Sequence, residues 1–396
     1  MNVIRQIRAL MPEFYILALL AALSPKAPAK TIPDALKIYD QTADTVTRNF
    51  YDRTFRSLPW EKMVASYRTK LGGPVEEEEL KRTINDLLDN LHASHTEFLS
   101  DGDQEYWGLK SIFSHQIDGA PVEQIGAWFV KIRGRWFIRN IFSGSPAEKA
   151  GLLGGDEIVS VNDKPLEPVR SFTGSTVEPV KIAYRRSPDA RESVIEVVPE
   201  LRGIQSSLLR ATLASRRVIL RGRSRIGYFH LWAGTHPQFK EALTGAAQEF
   251  SSSTDAFILD LRDGFGGTDP SYLNPFFDHD DAGHSIRQIY SKPMVVLING
   301  GTRSGKEWIT YLFKQTKRAT LVGSRTAGYF LAGMPFEIKP GMFLLYLAVS
   351  GDGPSGVNLE GKKKGVVPDI YIGFELPYSA GKDPQLEAAI SKLNSS

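Results

Sequence analysis

The chain has 396 residues, 42% hydrophobic and 23% charged, which supports two or three domains with their own cores and excludes a disordered chain. The formal charge is +3, and Arg5, Arg8 and Lys26 against Glu13 place two of those charges in the first 29 residues, so the body is near neutral and offers no electrostatic pull on nucleic acid. With no cysteine at all, disulfides, thiolate nucleophiles and cysteine metal sites are excluded, and stability rests on packing.

The first segment reads as a targeting leader. Arg5 and Arg8 form a basic start, Phe14 to Leu23 is an unbroken apolar run, and Ala27-Pro28-Ala29 supplies a small-x-small cleavage pattern. The apolar run is about half of what spans a bilayer as a helix. The pattern predicts a signal peptide over 1–29 and a periplasmic or secreted protein; the alternative is an uncleaved segment that anchors the chain to a membrane. From 30 to 115 the expectation is helical. Pro74 and the acids Glu76 to Glu79 mark a helix start, and Leu80, Ile84, Leu87, Leu88 and Leu91 form one apolar stripe that ends near His92-Ala93-Ser94-His95.

From about 120 to 200 short β-rich runs take over: 128–132, 136–141, 157–161, 180–184 and 194–198. Among them sits Gly144-Ser145-Pro146-Ala147-Glu148-Lys149-Ala150-Gly151-Leu152, a short helix with a proline start and a glycine stop. Gly154-Gly155-Asp156-Glu157-Ile158-Val159-Ser160-Val161-Asn162 follows as a turn into a strand. This run closely resembles a PDZ domain, which implies a groove that takes a polypeptide end as an added strand. The resemblance places the carboxylate-binding loop at Gly126-Ala127-Trp128. The tract from Leu201 to Arg223 is basic and irregular and reads as a flexible linker.

Beyond 222 strands and helices alternate: strand 226–232, helix 237–250, strand 256–261, strand 294–298, helix 307–314. Such alternation predicts a largely parallel sheet flanked by helices, with sites beyond the carboxyl ends of its strands. Two glycine-rich turns lie there, Arg262-Asp263-Gly264-Phe265-Gly266-Gly267 and Asn299-Gly300-Gly301-Thr302-Arg303-Ser304-Gly305. The second has P-loop spacing up to Gly305-Lys306, but Glu307 stands where a magnesium-binding Ser or Thr belongs, and a carboxylate repels phosphate. It also lacks the flanking glycines of a G-x-S-x-G elbow. Taken alone, Ser304 fits a helix cap better than a nucleophile.

Taken together, four segments in order carry more: Asp260 to Gly267, Val295 to Glu307, Leu321 to Gly328, and Glu360 ahead of Gly365-Val366-Val367-Pro368-Asp369. The chain resembles the S41 serine peptidases, which include the tail-specific (C-terminal processing) proteases and the tricorn core protease. The resemblance implies a multidomain protein: an α-helical N-terminal part (30–115), a PDZ domain (116–202) and an α/β catalytic domain (203–396) of ClpP/crotonase-like type. It also implies an endopeptidase that hydrolyses polypeptides through an acyl-enzyme on Ser304, without cofactor or metal. Gly305 and Gly266 would supply oxyanion donors, because backbone must approach the reacting carbon closely.

The base is where the chain departs from the tail-specific pattern. Their lysine position falls on Tyr329 and their intervening acid on Gln315, while Lys306, two residues from Ser304 on a helix, points to another face. The tricorn-type subset uses a Ser-His pair and a distant glutamate, and Ser94-His95 with Glu360 matches it. The resemblance makes His95 the base, with Ser94 linking it to Glu360. His92 is a stripe neighbour, and an ordinary imidazole pKa near 6.5 predicts activity rising through pH 6–7. Asp260 and Asp263 read as structural. His115, His230, His236, His279 and His284 show no metal-ligand spacing, and the last two sit among Asp278, Asp280 and Asp281 in a solvated run. The competing reading is a catalytically inactive relative that binds peptides through its PDZ groove.

Overall fold

The computed structural model describes residues 30–114, 116–279, 285–351, 357–361 and 364–394. The leader expected over 1–29 therefore lies outside the described residues, as do His115, Asp280, Asp281 and His284.

Three helices open the described chain: α1 (Ala35–Asn49), α2 (Trp60–Arg68) and α3 (Glu77–Leu88). The stripe of α3 is buried as its spacing requires, with Leu80, Ile84, Leu87, Leu88 and Leu91 packing on Ile38, Tyr39, Val46 and Trp60. Strand β1 (Glu97–Ser100) and helix α4 (Gln104–Ile112) follow. The same core takes in Phe343, Leu345 and Leu347 from the far end of the chain.

The middle of the chain contains β2 (Pro121–Gln124), then β3 (Ala127–Ile132), β4 (Arg135–Ile141), the short α5 (Pro146–Ala150), β5 (Glu157–Val161), β6 (Val180–Arg185) and β7 (Ser193–Val197). Strands β3 to β7 form one antiparallel five-stranded sheet in sequence order. It has its own core of Phe129, Ile138, Ile158, Val161, Phe172, Ile182 and Val197. Helix α5 starts as read: Ser145 Oγ accepts the Glu148 N–H at 3.2 Å, Pro146 leads the first turn, and Gly151 ends it at φ 87°.

The tract expected to be a linker is ordered instead. It folds as β8 (Glu200–Gly203), α6 (Ile204–Ser215) and β9 (Arg217–Arg221). β8 pairs antiparallel with β2, and Ile204, Leu208 and Ala211 of α6 are buried in the main core beside Leu109 of α4. Its buried polar residues Gln205, Ser207 and Thr212 broke up the apolar stripe in the sequence. Its basic residues are used locally, Arg210 pairing with Glu200.

The remainder supplies β10 (Ser224–His230), α7 (Pro237–Ser253), β11 (Ala256–Asp260), β12 (Met294–Ile298), α8 (Gly305–Gln315), β13 (Thr320–Gly323), β14 (Ala332–Lys339), β15 (Phe343–Ser350), β16 (Ile370–Tyr371) and α9 (Pro384–Asn394). A six-stranded sheet runs β9-β10-β11-β12-β13-β16, parallel except for the β9–β10 hairpin. Every residue of β11 and β12 is buried, as expected of central strands covered on both faces. A second sheet, β14-β15-β1, positions the site: Phe343 pairs with Ser100 and Tyr346 with Glu97. That pairing brings the segment after α3 to the C-terminal half of the chain, across more than two hundred residues. The chain is thus of mixed helix and sheet, with separate hydrophobic cores.

Candidate active site

Ser304 follows β12 through a turn fixed by its own side chains. Asn299 Oδ1 accepts the N–H of Gly301 at 2.8 Å and of Asp263 at 3.2 Å, and Thr302 Oγ1 donates to the Leu261 carbonyl at 3.0 Å. The Ser304 N–H donates to the Tyr329 carbonyl at 2.8 Å. Between these anchors Ser304 adopts φ 55°, ψ −133°, a strained conformation for a residue with a side chain. It stands at the head of α8, yet its side chain caps nothing there. The helix-cap reading of this serine therefore fails, and the hydroxyl is left facing a cavity.

Two glycines crowd it. A Cβ on Gly266 would lie 2.6 Å from Ser304 Cβ, and one on Gly305 would lie 2.1 Å from the Thr268 carbonyl oxygen. Only glycine lets the 262–267 turn approach the head of α8 this closely.

His95 faces the same space from the other half of the chain. It is 8% exposed and sits at φ 55° just before β1, with the Tyr346 ring edge-on at 5.2 Å. Its Nδ1 lies 2.9 Å from Ser94 Oγ, which donates to Glu360 Oε2 at 2.9 Å. Glu360 also accepts the Ser94 N–H at 2.8 Å on Oε1, and on Oε2 the N–H groups of Phe330 at 2.8 Å and Leu331 at 3.2 Å. Because the Ser94 hydroxyl gives its proton to the carboxylate, it can only accept from His95, which makes Nδ1 the protonated ring nitrogen. Nε2 is left with a free lone pair. Burial, with the positive charge of Arg303 beside it, pushes the His95 pKa down to about 3.

Ser304 and His95 line one cavity of about 1150 Å³ together with Ser94, Glu97, Gly266, Arg303, Tyr329, Tyr346 and Glu360. No hydrogen bond joins the Ser304 hydroxyl directly to the imidazole among the described residues; contacts of this kind often close only around substrate. His92 lines the same cavity, exposed, and takes no part in the Glu360–Ser94–His95 chain.

The neighbours of Ser304 on α8 have structural work that the sequence did not disclose. Lys306 is fully buried, its Nζ donating to the carbonyls of Leu231 at 3.0 Å, Trp232 at 3.3 Å and Asp263 at 2.5 Å. Burial pulls its pKa down to about 7 against the opposing charges of Asp263 and Asp260. Glu307, also fully buried, accepts from Thr326 Oγ1 at 2.5 Å, Gly328 N at 2.7 Å and Tyr329 N at 2.7 Å. It ties down the loop whose Tyr329 carbonyl holds Ser304. Arg303 pairs with Glu105 of α4 at 2.8 Å and stacks over Phe265 at 4.5 Å. Asp260 is buried against Arg262 and Tyr228, as a structural group.

Asp263 has a further role. Its carboxylate takes Arg139 Nη2 at 2.6 Å and Asn140 Nδ2 at 2.9 Å, both from β4, and so joins the five-stranded sheet to the Ser304 turn. Burial works to raise its pKa, but Arg139 and Asn140 outweigh that and hold it below the usual carboxylate range. Arg139→Ala is expected to cost about 1–3 kcal/mol in chemical denaturation and to increase proteolytic nicking around residues 114–121 and 198–203.

Gly126, Ala127 and Trp128 lie at the start of β3, the edge strand. Here the Gln104 side chain of α4 donates to the Ala127 carbonyl at 2.9 Å and accepts the Phe129 N–H at 2.9 Å, taking two backbone groups that an added strand would use. Trp128 packs edge-on against Phe265, 6.1 Å between ring centres.

The relatives support a serine-type peptidase. More particularly, the chain carries a domain of peptidase family S41, whose model matches residues 274–372, a span that includes Ser304. It is 26% identical to the chloroplastic carboxyl-terminal-processing peptidase 2 of Arabidopsis thaliana, over 86% of this chain and 68% of that one. It is 24% identical to a carboxyl-terminal-processing protease of Synechocystis, over 93% of this chain and 89% of that one. Among solved structures its fold is similar to the photosystem II D1 C-terminal processing protease, with TM-score 0.51 and 21% identity over 89% of this chain and 99% of that chain. It also resembles the tricorn protease, with TM-score 0.51 and 18% identity over 91% of this chain and 36% of that one.

Proposed function

We propose that the chain is an exported endopeptidase that cleaves polypeptides through an acyl-enzyme on Ser304, with His95 as general base. The observation that carries this reading is the hydrogen-bond chain Glu360–Ser94–His95, which engages Nδ1 and leaves Nε2 unprotonated on a histidine that lines the same cavity as Ser304. Nε2 takes the hydroxyl proton as Ser304 Oγ bonds to the substrate carbonyl carbon. It returns that proton to the leaving amine as the peptide bond breaks, and a water, activated in the same way, releases the acid and regenerates Ser304. Ser94 and Glu360 orient His95 and stabilise the imidazolium. The amides of Gly305 and Gly266 serve the developing oxyanion, each such donor being worth about 10²–10³ in rate.

We read the β3–β7 unit as PDZ-like. A peptide end adding to β3 would have to displace Gln104 from Ala127 and Phe129. Export to the periplasm or beyond rests on the leader pattern in residues 1–29. No helix among the described residues is long and apolar enough to cross a membrane.

A fluorophosphonate probe is expected to label Ser304 and no other residue, read by peptide mapping. A protein that stays unlabelled, or labels elsewhere, is not this enzyme. The pH dependence of labelling tests the base. The free imidazole expectation put the acid limb at pH 6–7; burial moves it below 6.5, toward about 3, because the folded protein keeps His95 neutral where free histidine would already be charged. The sign is fixed: labelling is at its plateau above the limb and falls as pH drops through it. An acid limb that remains at 6.5 or above points to a different base.

A further inference from the structure

The wall of the active-site cavity is unbalanced in charge. Among the described residues its acidic and basic side chains are four carboxylates, Asp89, Glu97, Glu105 and Glu360, against Arg303 and two histidines. Glu105 is neutralised by Arg303, and Glu360 is engaged by four donors around Ser94 and Phe330. Glu97 differs. Its side chain is exposed into the cavity, and among the described residues no cation pairs with it and no donor bonds it.

Its position relates it to the chemistry. Glu97 is two residues beyond His95, so their Cα atoms are at most about 7 Å apart. It pairs across the sheet with Tyr346, whose ring packs edge-on to His95. Its charge reaches Arg303 and Tyr329, which flank Ser304 in sequence and through the Ser304 N–H bond. Without a partner among the described residues, this carboxylate is open to solvent and to substrate, and a low-dielectric cleft of one sign concentrates the opposite charge.

We infer that this cavity selects polypeptides bearing a lysine or arginine beside the scissile bond, and that Glu97 is the residue that contacts the positive side chain. This rests on Ser304 being the nucleophile. A basic side chain one or two positions from the cleaved bond would set its ammonium or guanidinium on Glu97 while its backbone passes Ser304. Enclosure by protein, with Glu105 of α4 and Asp103 just before that helix nearby, raises the Glu97 carboxyl to about 7 against the weaker pull of Arg303 and of Lys81 on α3. The contact is therefore charged above neutrality and fades below it.

The test is a set of matched fluorogenic peptides that carry Lys, Met or Glu in turn at each position flanking one cleavable bond, assayed on the full protein at pH 8 and pH 6. At one position kcat/KM for Lys is expected to exceed that for Met by about 10- to 100-fold at pH 8, with Glu lowest and the Lys advantage shrinking at pH 6. Glu97→Gln should collapse the Lys/Met ratio toward one at both pH values. Equal rates for Lys and Met in the wild type, or a Lys preference that survives Glu97→Gln, would overturn the inference. Fluorophosphonate labelling of the wild type, which needs no basic side chain, separates the two failures: a protein that labels at Ser304 but shows no Lys preference refutes only the selectivity, and one that does not label refutes the peptidase chemistry beneath it.

Discussion

Replacing His95 with alanine is expected to lower kcat by about 10⁴- to 10⁶-fold, with little change in thermal stability. Ser304→Ala should do the same, and the double variant should be no worse than either single one, because in the proposed mechanism nucleophile and base act as a unit. The relay gives the finer test. Ser94→Ala removes the acceptor of the His95 Nδ1 proton and leaves Glu360 with its backbone donors only. Glu360→Gln keeps the volume but removes the charge that, in the proposed mechanism, stabilises imidazolium. Each should cost about 10²- to 10⁴-fold in kcat with KM nearly unchanged, since neither residue needs to touch bound substrate. Single-turnover acylation of an activated ester measures this directly. Full acylation by His95→Ala would remove the imidazole from the mechanism.

The buried Lys306 must be separated from this. Its pKa near 7 would suit a general base, but its three carbonyl partners, from Leu231, Trp232 and Asp263, surround the amine and hold the 262–267 turn. Lys306→Met should therefore lower stability and activity together, while His95→Ala lowers activity alone. That difference distinguishes a scaffold lysine from a catalytic one.

Local signals carried most of what was legible in the sequence. The stripe of α3, the proline and glycine that bracket α5, and the apolar runs that make up β12 and all of β11 but its last residue, Asp260, each follow from a few adjacent residues. The site needed pairings that no window contains. His95 reaches its place because β1 pairs with β15, and a Pro340-Gly341 turn can announce a hairpin there without naming its third strand. Helix α6 was missed because its buried face includes the polar Gln205 and Ser207; Gln205 finds its partners elsewhere, its N–H donating to Ser111 Oγ and its Oε1 accepting from Thr235 Oγ1. The unmatched P-loop position was the clearest signal left unused. A carboxylate at 307 that excludes phosphate must have another reason to be there.

That reason makes Glu307→Ala the most damaging single change outside the reacting groups. The carboxylate is fully buried, and burial works to raise its pKa against the donors of Thr326, Gly328 and Tyr329 that favour the charged form. Removing it leaves those three donors without their acceptor in a protein interior, at about 1–3 kcal/mol for each that finds no substitute. A loss of several kcal/mol is a large share of the 5–15 kcal/mol that holds a typical domain together, so this variant should show a markedly lower denaturant midpoint. Function should fail sooner than fold. The 326–329 loop supplies the carbonyl that accepts the Ser304 N–H, and Phe330 and Leu331 just beyond it donate to Glu360. Once the loop slackens, the strained φ of Ser304 and the carboxylate end of the relay lose support at the same moment. Glu307→Gln keeps one acceptor oxygen and should be intermediate in both stability and kcat. Equal stability of wild type and Glu307→Ala would mean that water or a rearranged loop satisfies those donors, and that Ser304 is held by its own turn alone.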